Sequence, residues 1–267
     1  MSTTEIPVPP QERLDDGLEL VLPGVKRPAG DGWEWIRQGW TIFAAAPLMW
    51  VIAIVILFVA AIIVSVVPVV GSLAFQLLQA VFAGGLVLAC RSLERGGQFE
   101  LEHVFAGFTR RFVPLLIVGA LLLLGGLLIL LVFATFVGFS ILGAVLTGST
   151  ENVLAAVAAS TATLALGGLV AAALMVPLMA AYWFAPALVM LHDMAPVAAM
   201  KASFVASFRN LVPFLLYGLV MFVAGVVAMI PFGLGMLVWV PLAITSTYAA
   251  YRAIFTRDTG ASAVAVA

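Results

Sequence analysis

Apolar residues fall in long runs separated by short polar or proline-bearing breaks, and several runs have bilayer length, about 20 residues. The first extends from Ala44 to about Val67 and stops at Pro68 and Gly71. The second, "SLAFQLLQAVFAGGLVLAC", runs from Ser72 to Cys90 and ends at Arg91, so the two predict a hairpin with an uncharged turn. Between Arg111 and Asp193 the only fully charged residue is Glu151. At about 1.5 Å per residue, a helix over Phe112 to Thr150 reaches nearly twice the hydrocarbon thickness. The pattern therefore predicts one crossing, Val113 to Phe136, extended as a helical or partly broken segment through "VGFSILGAVLTGST". The return crossing is Leu166 to Leu191, with "ENVLAAVAASTATLALGG" as its lead-in. A competing count of four short crossings needs turns near Ile129 to Leu131 and near Val170, where no Pro, Asn or charge stands. The last pair, Val212 to Ile230 and Met236 to about Ala253, flanks the turn "PFGLG". The expected fold is all-α integral membrane, with six transmembrane helices in three hairpins.

The segment ahead of each hairpin has helical, amphipathic spacing. Trp33, Ile36, Trp40 and Phe43 precede the first, with Asp31 as N-cap and Glu34 at capping-box distance. Leu101, Val104, Phe105, Phe108 and Phe112 precede the second, with Glu100, Glu102 and Arg110 off that face. Val197, Met200, Phe204 and Leu211 precede the third, opposite Lys201 and Arg209. Each predicts a cytoplasmic interfacial helix with its aromatic face in the acyl boundary.

Pro47, Pro114 and Pro213 then mark corners where a surface helix becomes a crossing helix, since proline is tolerated in a first turn. Two corners repeat in sequence, "FTRRFVPLLIVGALL" and "SFRNLVPFLLYGLVM"; the earlier "IFAAAPLMWV" keeps the proline and aromatics but has no cation. Arg110, Arg111, Lys201 and Arg209 are the expected contacts to anionic lipid headgroups.

Composition agrees with a membrane class. Hydrophobic residues are 64% of the 267 and charged residues 9%, against roughly 45–50% and about 25% in soluble domains. No basic face interleaved with stacking aromatics appears, so nucleic acid is not an expected partner. Lys26, Arg27 and Arg37 precede span one; Arg91, Arg95, Arg110 and Arg111 lie between spans two and three. Lys201 and Arg209 lie between spans four and five, and Arg252 and Arg257 close the chain. With six spans all fall on one side, which predicts both termini in the cytoplasm. Residues 1–31 read as a disordered acidic cytoplasmic tail, 32–257 as a single polytopic membrane domain, and 258–267 as a flexible tail.

Candidate chemistry is sparse. His192, Asp193 and His103 could join a metal site only by convergence, and the expected role of Asp193 is to cap the following segment. Gln76 and Gln79, three residues apart, and Thr245, Ser246 and Thr247 could line a polar path; interhelical bonding and back-bonding to helix carbonyls are the alternatives. Gly84, Gly85, Gly119, Gly125, Gly126, Gly167, Gly168 and Gly225 predict close helix approach. No ionisable residue lies centrally in a predicted span, which argues against a proton-coupled carrier. No catalytic residue, metal ligand set or cofactor is expected. The leading reading is a non-enzymatic component that organises lipid or binds a membrane protein partner. The alternative is a passive carrier for a lipid-like or small neutral molecule.

The segments "GWEWIRQGWTIFAAAPLMW" and "FAPALVMLHDMAPVAAMKASFVASFRNLVPFLLYGLV" resemble a family of multi-pass, mostly proteobacterial inner-membrane proteins of unassigned role. They are also distantly similar to hairpin-repeat membrane domains such as that attached to some glycerophosphodiester phosphodiesterases. The resemblance implies residence in the bacterial inner membrane and a multi-pass topology; it implies no catalytic residue.

Overall fold

The computed structural model describes residues 18–146 and 153–258, and apart from two short strands its regular elements are helices. The strand β1 (Leu18–Leu20) leads to α1 (Asp31–Ala45), α2 (Pro47–Ser65) and α3 (Val70–Glu94). The second unit is α4 (Glu102–Arg110), α5 (Phe112–Leu146), α6 (Val153–Tyr182) and α7 (Ala185–His192). The third is α8 (Pro196–Arg209), α9 (Leu211–Met229) and α10 (Met236–Phe255), closed by the strand β2 (Thr256–Asp258).

The three corners share one construction. Ala46 (φ −150°, ψ 57°), Arg111 (−141°, 41°) and Asn210 (−113°, 29°) each leave helical geometry for a single residue. Their N–H groups still donate to Phe43, Gly107 and Ala206, so the bend orphans no backbone donor there. Pro47, Pro114 and Pro213 follow within the first turn of α2, α5 and α9, where a missing N–H costs nothing.

Among the described residues five helical stretches are long and apolar enough to cross a bilayer: Pro47–Ser65, Val70–Glu94, Phe112–Gly143, Ser160–His192 and Leu211–Met229. The predicted sixth, α10, is long enough, but Thr245 to Thr247, Tyr248, Tyr251 and Arg252 make it more polar. Helix α5 is unbroken for 35 residues and α6 for 30, so no turn occurs at Ile129 to Leu131 or at Val170 and the four-crossing count falls. The two run antiparallel: a Cβ on Gly125 would meet Leu178, one on Gly167 would meet Phe136, and Ser140 and Ser160 each donate to the other's carbonyl. At the α9–α10 turn the pairing is likewise antiparallel, with Trp239 Nε1 donating to Met221 O at 2.8 Å.

Three expectations are corrected. The return crossing does not continue smoothly to Leu191, because α6 stops at Tyr182 and α7 restarts three residues on. Pro186 in the first turn of α7 disfavours a continuous helix. Ser203 makes the break tolerable inside the protein: its Oγ accepts the Phe184 N–H (3.0 Å) and donates to Ala180 O (2.7 Å).

The tail expected over 1–31 is ordered at its end. β1 pairs antiparallel with β2, Val21 and Val25 N–H donate to Phe255 O and Ile254 O, and Arg27 N–H donates to Asn210 Oδ1 at 2.7 Å. Residues 1–17 and 259–267 of the two expected tails lie outside the described residues. Finally, α1 is not capped by Asp31: its N-cap is Gly30, and Asp31 instead sits 2.9 Å from Arg27 Nε.

The core gathers where corners, α7 and the end of α10 meet. Trp35, Trp50, Phe184, Tyr248, Tyr251 and Phe255 are almost fully buried there, and every residue of α7 except His192 is buried. The short spacing of α4 from α3 depends on glycine: a Cβ on Gly107 would lie 2.0 Å from Val81 O, and one on Gly85 2.4 Å from His103 O.

Candidate functional site

The cation-bearing segments converge on this packed end. Glu94, at the close of α3, accepts from Tyr248 OH at 2.7 Å and is paired with Arg252 of α10. Arg111 at the second corner is paired with Asp193 after α7. Asn210 at the third corner holds the N-terminal segment, its Nδ2 donating to Val25 O (3.1 Å) and Ala206 O (2.9 Å). His192 Nε2 meets Tyr251 OH. Together these contacts collect the positive residues of all the linking segments at one end, called here the basic end.

The helices before the corners differ in what they bury: α8 buries only small residues and turns larger ones outward, α4 does so in part, and α1 buries large side chains. In α8 the buried set is Ala199, Ser203, Ala206 and Ser207, seated against α6, while Val197, Lys201, Phe204, Phe208 and Arg209 are exposed. In α4 Val104, Ala106 and Gly107 are buried; Phe105 and Arg110 are exposed. In α1 the aromatic set divides. Trp35, Ile36, Ile42 and Phe43 are buried, Trp35 at 5.2 Å from Phe214, whereas Trp33 and Trp40 point out. Small residues give close backbone approach with little side-chain ordering, which leaves bulky apolar and cationic groups free for the surroundings. On the far side of α1, Glu34 accepts from Arg37 and Gln38, which holds its carboxyl below the usual range.

Of the predicted headgroup contacts, Arg110, Lys201 and Arg209 are exposed, whereas Arg111 is engaged with Asp193. That pairing also corrects the capping role expected of Asp193. It adopts a left-handed conformation (φ 55°) after α7, and α8 starts from Ala195 with no side-chain cap.

The residues of the predicted polar path are not brought together. Gln76 is exposed and Gln79 half-buried on α3, about four turns before Glu94. Thr245 and Ser246 are buried one turn before Tyr248, which touches Glu94. Their hydroxyls back-bond to Pro241 O and Leu242 O, and Ser246 also meets Tyr217 OH at 3.0 Å. Among the glycines, Gly84, Gly85, Gly119, Gly125 and Gly167 stand where a Cβ would collide, but Gly126 and Gly168 face open space. Among the described residues no three His, Cys, Asp or Glu side chains converge as a metal site.

Sequence reasoning missed Glu94, Ser203, Asn210, Tyr248 and Tyr251. The available signal was weak: Tyr248 and Arg252 are four apart on one helix face, as are Arg91 and Arg95.

Comparison with known proteins agrees with a membrane class. Residues 26–267 match the family described as a domain of unknown function, DUF7847, and the chain belongs to that family. A probable inner membrane protein of Burkholderia thailandensis is 35% identical over 200 residues, 73% of each chain. No solved structure matches.

Proposed function

We propose that this chain is a non-enzymatic, six-span protein of the bacterial inner membrane that organises anionic lipid at its cytoplasmic face. The observation that carries the reading is the outward face of α4 and α8: Phe105, Arg110, Lys201, Phe204, Phe208 and Arg209 point out, while α8 turns only small residues inward and α4 turns Val104, Ala106 and Gly107 inward. An aromatic and cationic surface at the level of the corners suits the boundary between headgroups and acyl chains. The name of the Burkholderia relative supports the compartment. Convergence of the cations on one end supports the orientation, because Lys and Arg near span ends stay cytoplasmic. In this reading α10 is the sixth span, its polar side covered by α1: a Cβ on Gly39 would sit 2.6 Å from Ser246 Cα. The helix–corner–hairpin unit, present three times, keeps the kinship with hairpin-repeat membrane domains within the reading. A carrier finds little support, since Gln76 and Gln79 stand well away from Thr245 to Thr247.

Hydrogen exchange tests the lipid role. Lys201→Gln with Arg209→Gln removes about 2 kcal/mol of surface attraction at most. The protein should still insert, but residues 196–209 should exchange faster than wild type in nanodiscs containing anionic lipid and equally in zwitterionic ones. The difference should shrink in high salt, where the Debye length falls to about 3 Å at 1 M. Equal protection in all conditions would overturn the reading.

A further inference from the structure

The third corner holds the incoming chain against α8, beside cations that no described carboxylate answers. Reading back along that chain, Arg27 N–H donates to Asn210 Oδ1 (2.7 Å) and Val25 C=O accepts from Asn210 Nδ2 (3.1 Å). One turn earlier on α8, a Cβ on Gly24 would meet Ala206 Cβ at 3.2 Å. The segment therefore climbs α8 from its end toward its start before it crosses to α10. There Val21 N–H donates to Phe255 O, and Leu18 stands opposite Asp258 in the strand pair. Residues 1–17 join the described structure at this point. Arg209 lies three residues from Ala206 and Lys201 five, about 4.5 and 7.5 Å along the helix axis.

Elsewhere at the basic end several cations have acids of their own. Arg27 is paired with Asp31, Arg111 with Asp193 and Arg252 with Glu94, while Glu19 stands opposite Arg257 across the two strands. Lys201 and Arg209 are exposed, and among the described residues no carboxylate pairs with either. The segment that enters beside them is acidic: Glu5, Glu12, Asp15 and Asp16 stand against Arg13 alone. Its Ile6, Val8 and Leu14 are matched by the outward rings of Phe204 and Phe208, whose centroids are 4.7 Å apart. Reach is sufficient. At no more than about 3.5 Å per residue, Glu12 lies within roughly 20 Å of Leu18 and Glu5 within roughly 45 Å. Because the strand pair fixes one end of the segment, its binding to α8 is intramolecular and is favoured by effective concentration.

We infer that the acidic segment 1–17 docks on the outward face of α8, its carboxylates on Lys201 and Arg209. The docking deepens the lipid reading above and rests on it in one respect only: anionic headgroups then compete with the segment for the same two cations. A docked segment neutralises these side chains without tying α8 to the bilayer, so the exchange expected for residues 196–209 in zwitterionic discs is unaffected.

The test uses the full chain, one copy per nanodisc, and a water-soluble carbodiimide, which joins a carboxylate to an amine in direct contact. The chain has two lysines, Lys26 and Lys201, and phosphatidylcholine carries no primary amine, so peptide mass spectrometry assigns each link. In phosphatidylcholine discs Lys201 should be linked to Glu5, Glu12, Asp15 or Asp16. In Arg209→Lys the introduced amine should be linked as well. The yield should fall at least about threefold at 1 M salt, where the Debye length is about 3 Å. No link from residues 1–17 to either position, or a yield indifferent to salt, overturns the docking. A second measurement counts phosphatidylglycerol retained from mixed micelles by native mass spectrometry. With Glu5→Gln, Glu12→Gln, Asp15→Asn and Asp16→Asn combined, apparent affinity should rise about two- to tenfold, the range set by two exposed ion pairs. Adding Lys201→Gln and Arg209→Gln should abolish that gain. Links without the gain uphold the docking and remove headgroups from α8. Absence of links with phosphatidylglycerol still lost on Lys201→Gln and Arg209→Gln overturns the docking and leaves the lipid reading standing.

Discussion

The basic end and the far end of this molecule obey different rules. At the basic end Trp35, Trp50, Phe184, Tyr248 and Tyr251 are almost fully buried, and hydroxyls, amides and ion pairs tie together elements far apart in sequence. At the far end Phe58, Ile62, Ile63, Leu130, Leu131, Phe139, Leu169, Phe222 and Ile230 are exposed, and the contacts that remain are helix against neighbouring helix. In water such a surface would cost roughly 25 cal/mol per Å²; against lipid tails it costs almost nothing, and no hydrophobic force demands that it pack. Specific tertiary structure is therefore concentrated where the chain meets water and headgroups.

Topology gives the sharpest way to break that contrast. In a Cys90→Ser background, single cysteines at Ser72 and Phe232, both exposed at the far end, should react in intact cells with a membrane-impermeant thiol reagent. Cysteines at Lys201 and Arg209 should not. Labelling of Lys201→Cys from outside would remove the assignment of the basic end to the cytoplasm.

A glycine pair compares packing at the basic end with packing on an outward side of mid-α6. A Cβ on Gly39 would approach the Ser246 backbone to 2.6 Å, whereas one on Gly168 meets nothing within 4 Å. Gly39→Leu should destabilise by about 3 kcal/mol or more, at the upper end of overpacking costs, and Gly168→Leu should leave the melting temperature in detergent unchanged or raise it. Equal responses would mean that the two sites are packed alike.

Asn210→Ala should cost about 1–3 kcal/mol, because Arg27 N–H and Val25 C=O lose their partner on a residue only 1% exposed. Hydrogen exchange should speed up over residues 18–27 and stay constant in α5 and α6. Glu94→Gln is milder, about 1 kcal/mol, because the pair with Arg252 is partly exposed and the amide still accepts from Tyr248.

The smallest effect belongs to Glu34. Arg37 and Gln38 depress its folded-state pKa. What it contributes is therefore present at neutral pH and lost as pH falls through that lowered value. Melting curves of wild type and Glu34→Gln should differ slightly near neutrality and converge in acid; a growing difference toward acid pH would contradict the pairing.

The sequence by itself determined the membrane class, the apolar stretches, the three proline corners and the scarcity of charge between them. Each depends on local quantities: run length, proline's missing donor, and glycine or charge at a break. Tertiary structure alone decided that Ser203 satisfies the break after Tyr182, that Arg111 pairs with Asp193, that residues 18–27 are held against α10, and that small residues face inward on α8. The partners in these cases lie far apart along the chain, as Ser203 does from Phe184, Asn210 from Val25 and Glu94 from Tyr248. Periodicity can say that a helix has two faces. Where both faces are largely apolar, only the contacts made after folding decide which one meets protein and which meets lipid.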